Sequence, residues 1–312
     1  MSVEARTQPR AAPITAPRVT SDLVRRQTRL AWMLLAPSLL VVFLVAIVPL
    51  LQTIYQSLTD ARLASARPVQ FIGLRNYTDL LTDGQFLNAI KVTVLFTVLT
   101  VAFEFVLGMI IALVVNSNFK GRGPMRAAML VPWAIPTVVS ATMWKWMYHD
   151  IYGVINDLLV AKLHILPQNI AWIADPATAV PAIAAVDIWK TTPFMALLLL
   201  AGLQVIPTDI YEAADVDGAN PVQQFFRLTL PLLRPAILVA LIFRTLDSLR
   251  VFDVFYVMFG NRADTQTMAV YDQQVITAFS DLGYGGALSV AIFVIIGIFV
   301  VTYVTFLKVE SQ

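Results

Sequence analysis

The chain has 312 residues, of which 58% are hydrophobic and only 13% are charged, and its mean hydropathy is +0.73. These values lie far outside the range of soluble globular domains and predict an integral membrane protein. The absence of Cys excludes disulfides and thiolate metal sites, the two His residues predict no metal site, and a net charge of +2 gives no support to a nucleic-acid role.

Residues 1–29 precede the first long apolar run. Their Pro, Ala, Thr and Arg residues supply nothing that could bury a core, so we expect a disordered cytosolic tail. The apolar run after Arg29 is too long for a secretory signal and lacks a small-residue cleavage site. Residues 30–312 are predicted to form a single transmembrane domain.

Six apolar stretches approach or exceed the ~20 residues that a helix needs to cross a bilayer. They cover about 30–51, 90–115, 127–147, 180–203, 236–258 and 285–307. The predicted fold class is therefore all-α integral membrane, with six transmembrane helices. Pro132 and Pro136 lie four residues apart in the third stretch and predict a kink, because proline frees backbone carbonyls inside a helix.

The basic residues favour one orientation of the chain. Twelve of them fall on one side of the predicted spans: Arg6, Arg10, Arg18, Arg25, Arg26, Arg29, Lys120, Arg122, Arg126, Arg227, Arg234 and Lys308. Seven fall on the other side: Arg62, Arg67, Arg75, Lys91, Lys145, Lys162 and Arg262. The first group is expected to be cytoplasmic, which places both termini inside.

Charged residues also occur within the predicted spans. An Arg, Lys or Asp at mid-helix costs roughly 2.5–3.5 kcal/mol on insertion scales, so such residues must face one another or a wet cavity. Spacings of three residues predict pairs of Asp187 with Lys190, and of Asp247 with both Arg244 and Arg250. Glu104, alone in the second span, is interpreted as a helix-packing or inner-cavity residue.

Two interpretations of these charges stay open. They could be structural ion pairs, or they could line a polar pathway near the middle of the bilayer. Three acids and three bases sum to zero, which favours a neutral polyhydroxy compound: carboxylates accept from hydroxyls, Arg donates, and aromatic faces cover a sugar ring. Trp133, Trp189 and Phe194 are available as such faces.

A polar island separates the fourth and fifth spans and contains the segment 212–219, with the sequence EAADVDGA. Asp209 and Glu212 have the spacing of a capping box, and Gly218 is suited to a left-handed helix end. Asn220 and the following Pro predict a second helix start. A short rigid helix of this kind suits insertion into a cleft of a cytosolic partner.

The sequence contains no recognisable site for ATP or for catalysis. The glycines around residue 121 lack the Gly-Lys-Ser/Thr end of a phosphate-binding loop. No Ser/His/Asp arrangement or paired carboxylates fall on a plausible reaction pocket. The chain is therefore predicted not to be an enzyme and to carry no cofactor.

The segment 210–219, IYEAADVDGA, with the aromatic pair and TLP that follow it at 225–231, resembles the EAA signature of permease subunits of binding-protein-dependent ABC importers. The similarity extends from the segment 71–77, FIGLRNY, to the last span. It resembles sugar permeases of the maltose and trehalose kind most, with WKTTPF at 189–194 and FRTLD at 243–247 as further points of likeness.

The resemblance implies a type I ABC importer permease fold in a bacterial or archaeal inner membrane. It implies four kinds of partner besides membrane lipid: a second homologous permease, two cytosolic ATPase subunits that hold ATP and Mg, and an extracytoplasmic sugar-binding protein. The loop 204–234 would carry a coupling helix that docks on the ATPase through Glu212, Ala213, Ala214, Asp217, Gly218 and Ala219. The sugar site would comprise Trp133, Thr137, Asp187, Lys190, Thr191, Phe194, Asp247 and Arg250.

The implied function is that of a transmembrane subunit that imports an α-linked disaccharide such as trehalose or maltose. The chain lacks the extra N-terminal spans of enteric maltose permeases, and it has charges at several positions where those have neutral groups. Two alternatives stay open: a glycerol 3-phosphate permease of the same kind, for which a net-positive cavity is expected, and a secondary transporter without an ATPase, for which inverted repeats are expected.

Overall fold

The computed structural model of the chain describes residues 22–306, and in that part the secondary structure is helical, with two isolated β-bridges and no named strand. The chain divides at residue 52 into two compact units. In the first unit, α1 covers Asp22–Val42 and a π-helical segment covers Phe43–Ile47. Residues 22–29 of the predicted tail are thus helical, and the rest of that prediction falls on residues outside the described range.

The remaining helices follow in chain order. The first group comprises α2 (Val48–Ser57), α3 (Arg75–Thr82), α4 (Gly84–Asn116), α5 (Arg122–Ala134), α6 (Thr137–Met147), α7 (Val154–Asn156) and α8 (Pro176–Leu203). The second group comprises α9 (Thr208–Val216), α10 (Pro221–Gln224), α11 (Leu230–Leu232), α12 (Arg234–Leu249), α13 (Asp253–Phe259), α14 (Met268–Thr277) and α15 (Leu282–Phe306). Further π-helical segments cover Asp157–Lys162 and Phe225–Thr229.

Four stretches of helix are long and apolar enough to cross a membrane: Val24–Ser57, Gly84–Asn116, Pro176–Leu203 and Leu282–Tyr303. Two bent pairs also qualify if each is one span, which gives up to six among the described residues. One pair, α5 with α6, bends by 85°, and the other, Pro221–Leu232 with Arg234–Phe259, bends by 67°. These elements correspond to the six predicted stretches.

The bend between α5 and α6 occurs where the sequence predicted it. Pro136 lies between the two helices, and its missing N–H cannot continue the hydrogen bonding of α5, which ends at Ala134. The carbonyls at the end of α5 are therefore left without helical partners. These carbonyls are part of the site described below.

The core of the second unit is built on α4 and α8, which pack against each other, with α12 against both. Close approach is possible because Gly108 on α4 has no side chain: a Cβ there would lie 2.7 Å from Cγ of Met195 on α8. Small residues allow the same kind of approach between membrane helices in general. The three helices carry the charged residues of the second, fourth and fifth spans into one region.

The segment 71–77 caps the end of α2. Gly73 has a φ of +62°, which turns the chain back, and the buried amide of Asn76 donates to the carbonyls of Ser57 and Thr59 at 2.9 and 3.0 Å. These carbonyls lie at a helix C-terminus, where no intrahelical donor is available. The motif therefore serves the fold at this position.

Asp83 joins two further helices to the start of α4. One carboxylate oxygen caps the helix by accepting from the backbone N–H of Gln85 and Phe86, and the other accepts from the hydroxyls of Tyr271 and Tyr284, at 2.6 Å each. Burial alone would raise the pKa of Asp83, but these hydrogen bonds outweigh it and hold the pKa below its ordinary value. The carboxylate thus ties α14 and α15 to α4.

Candidate functional site

A cavity of about 280 Å³ opens where the bend between α5 and α6 faces α8 and the C-terminal end of α12. Its walls carry charged and aromatic side chains in a protein that is otherwise strongly apolar. The lining residues are Trp133, Thr137, Asp187, Lys190, Thr191, Arg244, Asp247, Ser248, Arg250, Val251, Phe252, Asp253 and Val254.

Arg244 on α12 is the centre of the charged cluster, with only 2% of its side chain exposed. Its guanidinium donates from Nη2 to Asp187 Oδ2 on α8 at 2.5 Å and from Nη1 to Asp247 Oδ2 at 2.7 Å. Nε and Nη2 also donate to the two carboxylate oxygens of Glu104 on α4, the second at 2.9 Å. One arginine thus joins carboxylates from three helices.

Glu104 lies behind the cavity wall and is fully buried. Besides Arg244, it accepts a hydrogen bond from the hydroxyl of Thr191 at 2.5 Å. The backbone carbonyl of Asp187 lies 2.6 Å from the same hydroxyl, so the two acceptors share its single hydrogen. Glu104 does not line the cavity, but it is bonded to two residues that do.

Lys190 has a different partner from the one predicted. No ion pair with Asp187 is present among the described residues; its ammonium donates instead to the carbonyls of Ile135 at 2.7 Å and Trp133 at 3.4 Å. These carbonyls are freed by the break at Pro136, and a cation is favourable at a helix C-terminus. The predicted pair Asp187–Lys190 was wrong because Asp187 bonds to Arg244 on α12, whereas Lys190 bonds to the carbonyls at the end of α5.

The prediction for Asp247 was half right. Its pair with Arg244 is present, whereas no ion pair with Arg250 occurs in the part of the chain that the structure describes. The helix α12 ends at Leu249, so Arg250 leaves the helical face on which spacing by three residues brings side chains together. Arg250 lines the cavity from the turn between α12 and α13, and Asp253 lines it from the start of α13.

The structure brings most of the predicted sugar-site residues together. Of these, Trp133, Thr137, Asp187, Lys190, Thr191, Asp247 and Arg250 line the one cavity. Phe194 does not line it, but its ring stacks on that of Trp133 with centroids 5.7 Å apart. Trp189, considered as a third aromatic face, packs against Trp144 instead, at 5.5 Å.

Sequence reasoning missed two features of the site. It assigned Arg244 only to Asp247 and left Glu104 without a partner, although a lone acid in one span and an unneutralised base in another signal a possible pair. It also missed the turn at 250–253, because the fifth apolar stretch shows no Pro or Gly that would mark the end of α12.

The polar island forms the predicted pair of short helices. The capping box at Asp209 is wrong: Pro207 occupies the N-cap position of α9 and no side chain caps it. Gly218, by contrast, has the predicted left-handed conformation, with a φ of +75°, just after the helix ends. Asn220 begins α10 with a capping box to Gln223.

The predicted coupling residues differ in their exposure. Glu212, Ala213, Asp217 and Gly218 are exposed, Ala219 is half-buried, and Ala214 is buried in the fold. The most exposed apolar side chain of this region is Val216, at 87%, which is not among the predicted coupling residues. The surface offered by α9 therefore combines acidic residues with one large apolar side chain.

Comparison with known proteins identifies the family. The profile described as "Binding-protein-dependent transport system inner membrane component" matches residues 104–307. The chain belongs to this family. It is an inner-membrane component of an ABC transporter, as the sequence predicted.

Relatives extend the likeness to nearly the whole chain. The trehalose/maltose transport system permease protein MalF of Thermococcus litoralis is 43% identical over 91% of this chain and 96% of the relative. The sulfoquinovosyl glycerol transport system permease protein SmoG of Agrobacterium fabrum is 42% identical, over 92% and 93%. The trehalose transport system permease protein SugA of Mycobacterium tuberculosis is 38% identical, over 94% and 91%.

Solved structures show the fold. A chain of a bacterial ABC transporter involved in the import of the acidic polysaccharide alginate superposes with a TM-score of 0.78 at 23% identity, covering 93% of this chain and 99% of that one. The predicted fold class, an all-α ABC importer permease, is confirmed. At this identity the likeness concerns the fold alone.

Proposed function

We propose that this subunit imports a neutral disaccharide, such as trehalose or maltose, and that the cavity around Asp247 binds the sugar during its passage. The observation that carries the proposal is the gathering of seven of the predicted sugar-site residues in one cavity inside an importer subunit. The printed names of two relatives, a trehalose/maltose permease and a trehalose permease, support the same substrate class.

The bonding of the charged groups favours a neutral substrate. Arg244 and Lys190 are held by protein carboxylates and carbonyls, so neither offers a free positive charge, and the charge of Arg250 in the lining is balanced by that of Asp253. Asp247 has 64% of its side chain exposed and only one oxygen bonded to Arg244, which leaves an acceptor for sugar hydroxyls. Trp133, with the ring of Phe194 stacked on it, supplies an aromatic surface for the apolar face of a sugar ring.

An anionic substrate is the second candidate, because the SmoG relative is named for sulfoquinovosyl glycerol transport. Charge balance argues against it here. The acids and bases that line the cavity sum to zero, and Glu104 behind the wall adds one negative charge when ionised. The same balance argues against glycerol 3-phosphate, and family membership argues against a secondary transporter.

The subunit depends on partners for energy. No phosphate-binding loop is recognisable in the sequence, so ATP and Mg would bind to two cytosolic ATPase subunits, with a second permease and an extracytoplasmic sugar-binding protein completing the assembly. The helix α9 and the turn at Gly218 are proposed to dock on one ATPase through Glu212, Ala213, Asp217 and the exposed Val216. Both termini then lie in the cytoplasm, as the basic residues indicate.

Closure of the ATPase dimer would move α9 and α10 together and change the side from which the cavity is open. The link within this chain is the contact between the hydroxyl of Tyr211 on α9 and that of Thr229, at 3.0 Å, which joins the docking helix to the segment leading into α12. Because α12 carries Arg244 and Asp247, movement of the docking surface reaches the proposed sugar site through one helix.

Affinity purification from native membranes in mild detergent tests the proposed assembly. We expect recovery of an ATPase with a phosphate-binding loop and of a second permease, and sugar-stimulated ATP hydrolysis by the purified complex when the sugar-binding protein is added. Recovery of the chain alone, under conditions that preserve other membrane complexes, would contradict the proposal.

A further inference from the structure

Glu104 has an arrangement that packing alone does not require. It is fully buried on α4, yet both of its carboxylate oxygens are bonded to side chains that line the cavity, Arg244 and Thr191. A buried charge needs a partner, but a single ion pair would satisfy that need. Here the carboxylate fixes two wall residues that belong to two different helices.

The bonds of Arg244 show what Glu104 controls. A guanidinium has five N–H groups in one plane, and Glu104 occupies Nε together with one position on Nη2. This two-point contact fixes the plane of the guanidinium. The remaining edge then points to Asp187 through Nη2 and to Asp247 through Nη1.

The consequence is an ordered pair of groups at the cavity surface. Asp247 keeps one carboxylate oxygen unbonded to Arg244, and the second N–H of Arg244 Nη1 has no partner among the described residues. An acceptor and a donor thus lie beside each other, an arrangement that fits adjacent hydroxyls of a sugar, one donating and one accepting. Thr191, held by Glu104, lines the same wall.

We propose that Glu104 is a positioning residue for the substrate: without touching the sugar, it orients Arg244 and Thr191 so that Asp247 and Arg244 present a matched acceptor and donor. This inference rests on the proposed function. It assigns to a residue behind the cavity wall a role in how tightly the cavity binds its sugar.

The test uses the complete importer in proteoliposomes, with the sugar-binding protein outside and ATP inside, and radiolabelled trehalose and maltose as probes. Glu104→Gln keeps the size of the side chain but places an NH2 group against a donor of Arg244. We expect the sugar concentration for half-maximal uptake to rise about fivefold or more, while the amount of assembled complex stays near normal. Glu104→Asp keeps the charge but moves the carboxylate back by one methylene group, so it should show a smaller but measurable rise, of about twofold.

The control is Val115→Ala, which truncates a fully buried residue eleven positions further along α4, on the order of 16 Å away along the helix axis. A purely structural role would make Glu104→Gln resemble this control, with less complex and an unchanged half-saturation. That result would overturn the inference and leave the proposed function intact. If Glu104→Gln fails to assemble, Glu104→Asp decides in the same way: an unchanged half-saturation overturns the inference.

Uptake by the wild-type complex in the same experiment tests the proposed function itself. Uptake of neither probe by the wild type would overturn that function and, with it, this inference. Uptake by the wild type with a shifted half-saturation in Glu104→Gln supports both.

Discussion

Removal of the arginine at the centre of the cluster should destabilise the subunit strongly. In Arg244→Met, Glu104 and Asp187 lose their partner, and both are almost inaccessible to water, with side-chain exposures of 0% and 11%. Breaking a buried ion pair costs about 3–5 kcal/mol, because one charge is left buried without compensation. Asp247, at 64% exposure, adds little, since exposed pairs contribute at most about 1 kcal/mol.

A loss of this size lowers the melting temperature of a protein of this length by roughly 10 °C. The assay is the fraction of subunit that stays monodisperse in detergent after heating to a series of temperatures. Arg62→Met is the matched control, because Arg62 pairs with Asp281 at 3.4 Å on the surface with 65% of its side chain exposed. The control should shift the midpoint by no more than about 2–3 °C.

A triple variant separates the charge effect from simple truncation. Replacing Arg244 by Met, Glu104 by Gln and Asp187 by Asn removes every buried charge of the cluster, and such neutral replacements often recover stability. We expect the triple variant to recover most of the decrease in melting temperature, whereas neither the single nor the triple variant should take up sugar. A single variant Arg244→Met as stable as the wild type would refute the account of the cluster.

Three further predictions follow from single positions. Gly218→Asp should lose the ATPase in copurification, whereas Gly218→Asn should keep it. Both replacements tolerate the left-handed φ of +75° and no atom lies within 4 Å of a Cβ there, so the two variants differ only in charge. Equal retention of the ATPase by both variants would contradict the docking role. Asp247→Ala should abolish uptake with the complex still assembled, and normal uptake with unchanged sugar preference would contradict the assigned site. Burial raises the pKa of Asp272 to about 6, although a hydrogen bond from Ser289 lowers it, so the protonated carboxyl stabilises the fold below pH 3.8 and that contribution is lost as the pH rises through 6. The stability of Asp272→Asn relative to the wild type, measured by thermal unfolding, should therefore increase by up to about 3 kcal/mol between pH 4 and pH 7. A difference that stays constant with pH would contradict this prediction.

The sequence predicted the number and order of the spans well, because continuous apolar runs report membrane helices directly. It also located the break at Pro136, although Pro132 lies inside α5, and the left-handed turn at Gly218, since both depend on the local chemistry of one residue type. The resemblance supplied the residues of the site. These predictions need no knowledge of which helices pack together.

Pairing of the charges could not be predicted in the same way. Spacing along one helix suggested Asp187 with Lys190, but the structure joins Asp187 to Arg244 across two helices and gives Lys190 the open carbonyls at the end of α5. Partners of this kind depend on tertiary contacts between α4, α8 and α12. The end of α12 at Leu249 is likewise set by tertiary structure, since no helix-breaking residue marks it.

The central claim, that this subunit carries a neutral disaccharide with energy from partner ATPases, is tested most directly by uptake in reconstituted vesicles. The complete complex is placed in proteoliposomes with ATP and Mg inside and the sugar-binding protein with labelled trehalose outside. The account predicts accumulation that requires hydrolysable ATP and is inhibited by excess unlabelled maltose or trehalose but not by an equal concentration of glycerol 3-phosphate. Accumulation without ATP, or inhibition by glycerol 3-phosphate alone, would contradict it.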